Sequence, residues 1–311
     1  MPRRHADLWL FLIVAFGLAW LFALPLWLND ASLGSPLLTV TGAAMMFTPS
    51  LGVLAVLLYG RRRGEPGTTW REWARRTGLT LGERRGRTAR LFAVAWFGTP
   101  LLVVAAIALS AALGLVVLDL DGLSLYRQGL EQAAPARSPS IDVRVLAGLQ
   151  AVSAVLVAPL INSVVAFGEE WGWRGWLLPR LMPLGVWRAL VVSGVIWGAW
   201  HAPLTLRGYN YPEFGAWAAP FFVVFCVAYG AFLGWLRLRS GSVWPAVVGH
   251  GALNASASLV VLVGDAAHPP NPAVAGITGL VGSALLAVLS ALLFTRRPVR
   301  PVVHAEDRPA A

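Results

Sequence analysis

The sequence predicts an all-α, polytopic membrane helix bundle of about eight transmembrane helices. Three observations carry that prediction. Of 311 residues, 57% are hydrophobic and only 13% charged, against roughly a quarter charged in soluble domains; the mean hydropathy is +0.65. Apolar runs long enough to cross a hydrocarbon core of ~30 Å recur along the chain. The 25 basic residues are all arginine, and they gather in alternate connections between those runs.

The runs lie at about 8–28, 36–59, 91–118, 146–168, 186–206, 215–236, 243–263 and 273–294. The first follows Arg3 and Arg4, as a secretory signal would, but its apolar stretch of ~20 residues exceeds the usual 7–15. It is expected to be a retained helix. Ten arginines lie between Arg61 and Arg90, Arg237 and Arg239 follow the sixth run, and Arg296, Arg297 and Arg300 follow the eighth. The connections near Asp30 and at 119–144, 207–214 and 264–272 are poorer in arginine. The positive-inside rule then puts the arginine-rich connections and both termini in the cytoplasm. With Trp70 and Trp73 interleaved, the 60–90 loop reads as an interfacial segment on anionic lipid headgroups and not as a nucleic-acid site. The lone cysteine, Cys226, falls in the sixth run, so no intramolecular disulfide is expected. Exclusive use of arginine suits a GC-rich bacterial genome, and the expected location is a bacterial plasma membrane.

Residues 1–145 hold three helices, the basic loop and a connection from Asp119 to Arg144. Within it, residues 135–140 read as irregular chain, and its length is that of a lid or a flexible segment. Polar residues able to do chemistry concentrate between 162 and 254, within a core of 146–264. Residues 265–294 add the last helix, and 295–311, rich in Pro and Arg, are expected to form a disordered cytoplasmic tail.

In the run FGEEWGWRGWLL, Glu169, Glu170 and Arg174 stand inside an apolar stretch. An ionised side chain at mid-bilayer costs about 2.5–3.5 kcal/mol even on the mildest scale, so three within six positions require partners or a hydrated pocket. On a helix Glu170 and Arg174 are i and i+4 and can pair. Glu169 is turned by ~100° from Glu170 and is expected to point elsewhere, available as a proton acceptor if water reaches it. Trp197 with His201, and His250 with Asn254, are further i, i+4 pairs in later runs, each on one helix face. His5, His268 and His304 lie near the ends or in a loop.

Depth links these residues. Glu169 is eleven residues from Arg180, His201 thirteen from Arg188 and His250 eleven from Arg239, which gives axial offsets of ~16, ~20 and ~16 Å at 1.5 Å per residue. One histidine or asparagine in a spanning helix is readily interhelical glue, worth ~0.6 kcal/mol. A set at matched depth on three helices predicts a shared site.

The pattern EExxxR, aromatic-xxxH and HxxxN resembles the three motifs of the CPBP family, the CAAX proteases and bacteriocin-processing proteins also called Abi. Here they read as Glu169, Glu170 and Arg174, then Trp197 with His201, then His250 with Asn254. The resemblance covers about 150–260 and extends into the WRGWLLP continuation. Trp197 departs from the more usual phenylalanine, which bears on pocket shape. The resemblance implies an intramembrane endopeptidase acting on a membrane-embedded or lipidated peptide, in CAAX-type processing, peptide maturation or bacteriocin self-immunity. Glu169 would be the general base, aided by His201, with His250 and Asn254 stabilising the oxyanion and Glu170, Arg174 and Trp197 in support. Members have been described both as glutamic and as metallo-endopeptidases. Glu169, His201 and His250 could hold a zinc ion with a water in the fourth position, although HExxH is absent. Two other readings are a proton-coupled transporter and a non-enzymatic membrane scaffold. The former predicts polar interruptions in both halves of the chain, whereas here they fall almost wholly in the second.

Overall fold

A computed structural model describes residues 2–32, 34–133 and 141–299, with backbone alone for 2–5. The irregular stretch expected at 135–140, the tail from Arg300 onward with His304, and the side chains of Arg3, Arg4 and His5 lie outside the described residues. The elements are α1 (Pro2–Leu28), α2 (Pro36–Met46), α3 (Thr48–Arg62), α4 (Trp70–Arg76), α5 (Arg85–Ala112), α6 (Ser124–Ala133), α7 (Val143–Leu156) and α8 (Ala158–Glu170). A π-helical segment (Trp171–Leu177) leads into α9 (Leu178–Leu181), followed by α10 (Val186–Trp200), α11 (Ala202–Thr205), α12 (Ala218–Ser240), α13 (Trp244–Ser256), α14 (Leu259–Val263) and α15 (Leu280–Arg296). No strand occurs among the described residues, apart from an isolated bridge between Leu118 and Gly264.

Among the described residues five stretches are long and apolar enough to cross a membrane: Ala6–Leu28, Pro36–Arg62, Arg85–Ala112, Pro212–Ser240 and Trp244–Val263. A sixth is obtained if Val143–Leu156 and Ala158–Leu184, bent by 48°, count as one. Where eight spans were expected, five or six meet that length and composition among the described residues. The two runs that fall short are α10, with 15 residues, and α15, with 17. At 1.5 Å per residue they reach only ~22–26 Å of a ~30 Å core. Apolar composition counts residues, not helix: α10 stops at Trp200, just before Pro203, and the eighth run opens with turns through Gly276 (φ 72°) before α15 begins. The third run likewise leaves the helix at Ala112. At the tail, residues 295 and 296 still belong to α15.

Proline sets the bend between α7 and α8. Pro159 has no N–H for the carbonyl of Val155, four residues earlier. The indole Nε1 of Trp96 on α5 donates to that carbonyl at 2.7 Å instead. The break is thereby hydrogen-bonded inside the bundle, the condition for an interrupted helix at membrane depth.

Packing brings α10 onto α12 through small residues. Gly194 and Gly198 are spaced as in GxxxG, and a Cβ on either would lie 2.6 or 2.7 Å from Cα of Val227 or Val223. The first helix is part of the same core, with Phe11, Ala15, Ala19 and Ala23 fully buried.

The arginine-rich connections share one end of the bundle: Arg87 of α5 reaches the Arg239 carbonyl, and Val243 N–H donates to Gly78 O at 2.8 Å. The arginine-poor connections meet at the other. There Arg207 pairs with Asp30 at 3.0 Å, Tyr211 donates to Thr278 O at 2.6 Å, and Asp119 N–H donates to Val263 O at 2.8 Å. The long connection after Asp119 carries α6, whose Tyr126 is buried beside Leu262.

The close α10–α12 approach gives a test. Gly198→Val should push α10 off Val223 and destabilise the protein by about 1–3 kcal/mol, the usual range for overpacking. A fall in the thermal midpoint in detergent, greater than for Val195→Ala on the exposed face, is the expected reading.

Candidate active site

Glu169 and Glu170 are the last two residues of α8, and the backbone then widens. In the π segment Leu178 N–H reaches back five residues to Trp173 O. Such insertions in α-helices recur at functional sites. Three buried indoles, Trp171, Trp173 and Trp176, belong to this segment. Trp176 stacks on Phe11 at 4.5 Å between centroids, Trp173 meets Trp200 edge-on at 5.8 Å, and Trp171 stacks on Phe167 at 5.8 Å.

Both carboxylates are buried, Glu169 at 2% and Glu170 at 0% exposure. The expected pair between Glu170 and Arg174 is present, with Arg174 Nη1 donating to Glu170 Oε1 at 2.8 Å. The same oxygen accepts from Nδ1 of His250 at 2.9 Å, which ties α8 to α13. A buried ion pair offsets its desolvation only if its geometry is good and further hydrogen bonds are made. The second Glu170 oxygen, Oε2, has no partner among the described residues, so this carboxylate depends on Arg174 and His250.

Glu169 is not left unpaired, as its helical angle suggested. Trp197 Nε1 donates to its Oε2 at 2.6 Å. Trp197 is in turn covered by the Arg174 guanidinium, 3.9 Å from the ring centroid, a cation–π contact. Its backbone carbonyl accepts from His201 Nδ1 at 2.9 Å, and its ring meets His250 edge-on at 5.5 Å. One indole thus touches every group of the three motifs except Glu170 and Asn254. A phenylalanine at 197 could not donate to Glu169.

His201 sits just past the end of α10 (φ −75°, ψ −3°), wedged between Trp200 and Phe222 at 4.7 and 4.8 Å. A carbonyl can only accept, so His201 Nδ1 carries a hydrogen and Nε2 is left as an acceptor in the neutral ring. For His250 the partner is a carboxylate, so Nδ1 donates there too. Its Nε2 carries a hydrogen only in the doubly protonated ring.

Glu169, Trp197, His201, His250 and Asn254 line one cavity of ≈ 430 Å³. Met45, Met46, Phe222 and Phe225 give it an apolar side. The matched depth inferred from three helices is therefore a real convergence: the His250 ring meets Glu170 directly, and His201 shares the cavity with Glu169. Asn162, Tyr209 and Asn210 also line this space and were not singled out from the sequence. Asn162 is seven residues before Glu169 on the same helix face, a spacing that could have found it. Tyr209 and Asn210 (φ 68°) lie in the turn after α11, where no periodicity points inward.

The residues do not fit the zinc site considered above. Among the described residues no group of three His, Cys, Asp or Glu side chains is disposed to hold a metal, the trio of Glu169, His201 and His250 included.

Because Glu170 relies on its two donors, Arg174→Met should leave a buried charge underpaired and cost about 3–5 kcal/mol. The double variant Glu170→Gln/Arg174→Met should lose clearly less. Equal losses in thermal unfolding would show that the two side chains do not act as a pair.

A comparison with curated proteins gave no match. The match to protein families falls on the stretch that carries all three motifs and points to a protease in an integral membrane setting. Residues 151–256 match the family model described as type II CAAX prenyl endopeptidase Rce1-like, a domain of the CPBP family that the motifs resemble.

Proposed function

We propose that the chain is an intramembrane endopeptidase that hydrolyses a peptide bond of a membrane-embedded or lipidated peptide, using water activated by Glu169. The observation that carries this reading is the meeting of a buried carboxylate, two imidazoles and an amide, from three separate helices, in one cavity. The family match on 151–256 supports the reaction class.

In the proposed reaction Glu169 takes a proton from a water that attacks the scissile carbonyl, and returns it to the leaving amine as the C–N bond breaks. Trp197 holds one Glu169 oxygen at 2.6 Å, which leaves the other to face the water. His201, as acceptor at Nε2, holds the water's second hydrogen. The negative charge developing on the carbonyl oxygen is met by Asn254, and by His250 through Nε2–H when that ring carries both protons. Arg174 pairs with Glu170 and covers the Trp197 face. No step is routed through zinc: Glu169, His201 and His250 share one cavity but are not disposed as a metal-binding trio among the described residues.

The apolar side of the cavity suits a lipid-modified or hydrophobic segment, and the name of the matched family makes a prenylated C-terminal peptide the first substrate to try. Peptide maturation and bacteriocin self-immunity stand as alternatives. With the arginine-rich end and both termini placed in the cytoplasm of a bacterial plasma membrane on the positive-inside rule, the cavity lining at Tyr209, Asn210 and Thr278 lies toward the opposite, arginine-poor end.

Glu169→Gln, which keeps shape and removes the base, should lower cleavage by about 10²–10⁴-fold, the range general bases contribute. Wild-type cleavage should survive exhaustive chelation. Proteomics of cells carrying the wild type or the variant would reveal the peptide that accumulates uncut; an unchanged phenotype would favour the scaffold. Trp197→Phe keeps a ring but removes the hydrogen bond to Glu169. It should reduce kcat by about 10-fold or more with little change in KM, as expected for a lost hydrogen bond to a charged group.

A further inference from the structure

A second hollow, of ≈ 1280 Å³, lies at the arginine-rich end of the bundle, away from the carboxylates. Six arginines line it, Arg75, Arg76, Arg84, Arg87, Arg237 and Arg239, against two carboxylates, Glu72 and Glu83. Glu72 is engaged locally, where it caps α4 together with Thr69. Arginines thus outnumber carboxylates six to two in the lining.

The hollow is built, not a chance gap between loops. The segment between α4 and α5 is pinned onto the α12–α13 turn by Val243 N–H to Gly78 O at 2.8 Å and Trp244 Nε1 to Leu79 O at 2.9 Å, and onto α5 by Thr88 Oγ1 to Leu81 O at 2.7 Å. Gly78 has a positive φ of 76°, and a Cβ there would lie 2.7 Å from the Arg237 guanidinium carbon. The chain thus makes room for that guanidinium. Arg237 is only 7% exposed. Its Nη2 reaches Arg76 O at 3.3 Å, but its Nε has no hydrogen-bond partner among the described residues. A buried N–H of a cation without an acceptor is costly and marks a place for one.

Helix α5 adds to this. It begins at the hollow with no acidic residue in its first turn and no side-chain cap, and instead carries Arg84, Arg85 and Arg87 against the positive end of the helix. An anion there would meet both the helix N-terminus and the arginines. Apolar residues share the lining, among them Pro179, Met182 and Leu238, and Trp70 and Leu81 are exposed on neighbouring turns. This mixture of cation and grease suits the headgroup region of a leaflet.

We propose that this hollow binds a phosphate-bearing anion, with Arg237 at its floor and Arg87 and Arg239 at its rim. An anionic phospholipid headgroup and a soluble phosphate compound share that chemistry. The site extends the basic character of the 60–90 loop into a defined pocket completed by the end of α12.

Native mass spectrometry of the full chain in neutral detergent tests this, with phosphatidylglycerol or phosphatidylcholine added and inorganic phosphate as competitor. Wild type should bind phosphatidylglycerol the more tightly of the two, and Arg87→Gln/Arg239→Gln should weaken that binding about 30-fold, at the usual contribution per surface arginine. Arg87→Lys/Arg239→Lys should keep most of the preference. Displacement of the lipid by inorganic phosphate, with a rise in Tm from phosphate alone, would assign the site to a soluble ligand; tight phosphatidylglycerol binding without it would assign the headgroup. Equal affinity of wild type for the two lipids with no effect of phosphate would overturn the site, as would a folded glutamine variant that keeps the wild-type preference. Should that variant misfold, the wild-type contrast and the phosphate arm decide.

Discussion

The structure turns on one buried oxygen. Glu170 Oε1 accepts from both Arg174 and His250, so the cost of placing charge in the bundle is offset across two helices at once. Without Arg174 the carboxylate would be underpaired in a low-dielectric setting, and without Glu170 the guanidinium would stand alone above the Trp197 ring. The arrangement also fixes the geometry of groups not in the pair. Arg174 covers Trp197, Trp197 holds Glu169, and the Trp197 carbonyl orients His201.

That dependence explains the irregular backbone around the site. The π segment after Glu170, the proline bend between α7 and α8, and the early end of α10 at His201 all interrupt helices at or near the cavity. Each interruption is satisfied from inside the bundle, as by Trp96 donating to Val155 O. Irregular chain at this depth is tolerated only where protein or a hydrated cavity receives its polar groups. The second hollow follows the same logic at the arginine-rich end, where a loop is bent around the Arg237 guanidinium.

Much of the candidate site was legible in the chain because helical spacing and mean depth are linear properties. Glu170 and Arg174 four apart, His250 and Asn254 four apart, and three polar groups at similar distances from flanking arginines require only 1.5 Å per residue. The eight apolar runs were legible as composition, but not as spans. Hydropathy does not report where Pro203 or the turns near Gly276 end a helix, and so α10 and α15 came out too short.

By itself the sequence determined that the protein is a helical membrane bundle with charged side chains buried in its second half, since burial cost and helical period act on the chain alone. Only the tertiary structure decided which partners those charges take. Trp197 is 28 residues from Glu169 and Tyr209 is 40 from it, and no local periodicity relates them. The direction of an indole N–H, the second acceptor role of Glu170 and the closing of a loop on Arg237 are set by how separate helices pack, and packing is a property of three-dimensional contact that no one-dimensional spacing contains.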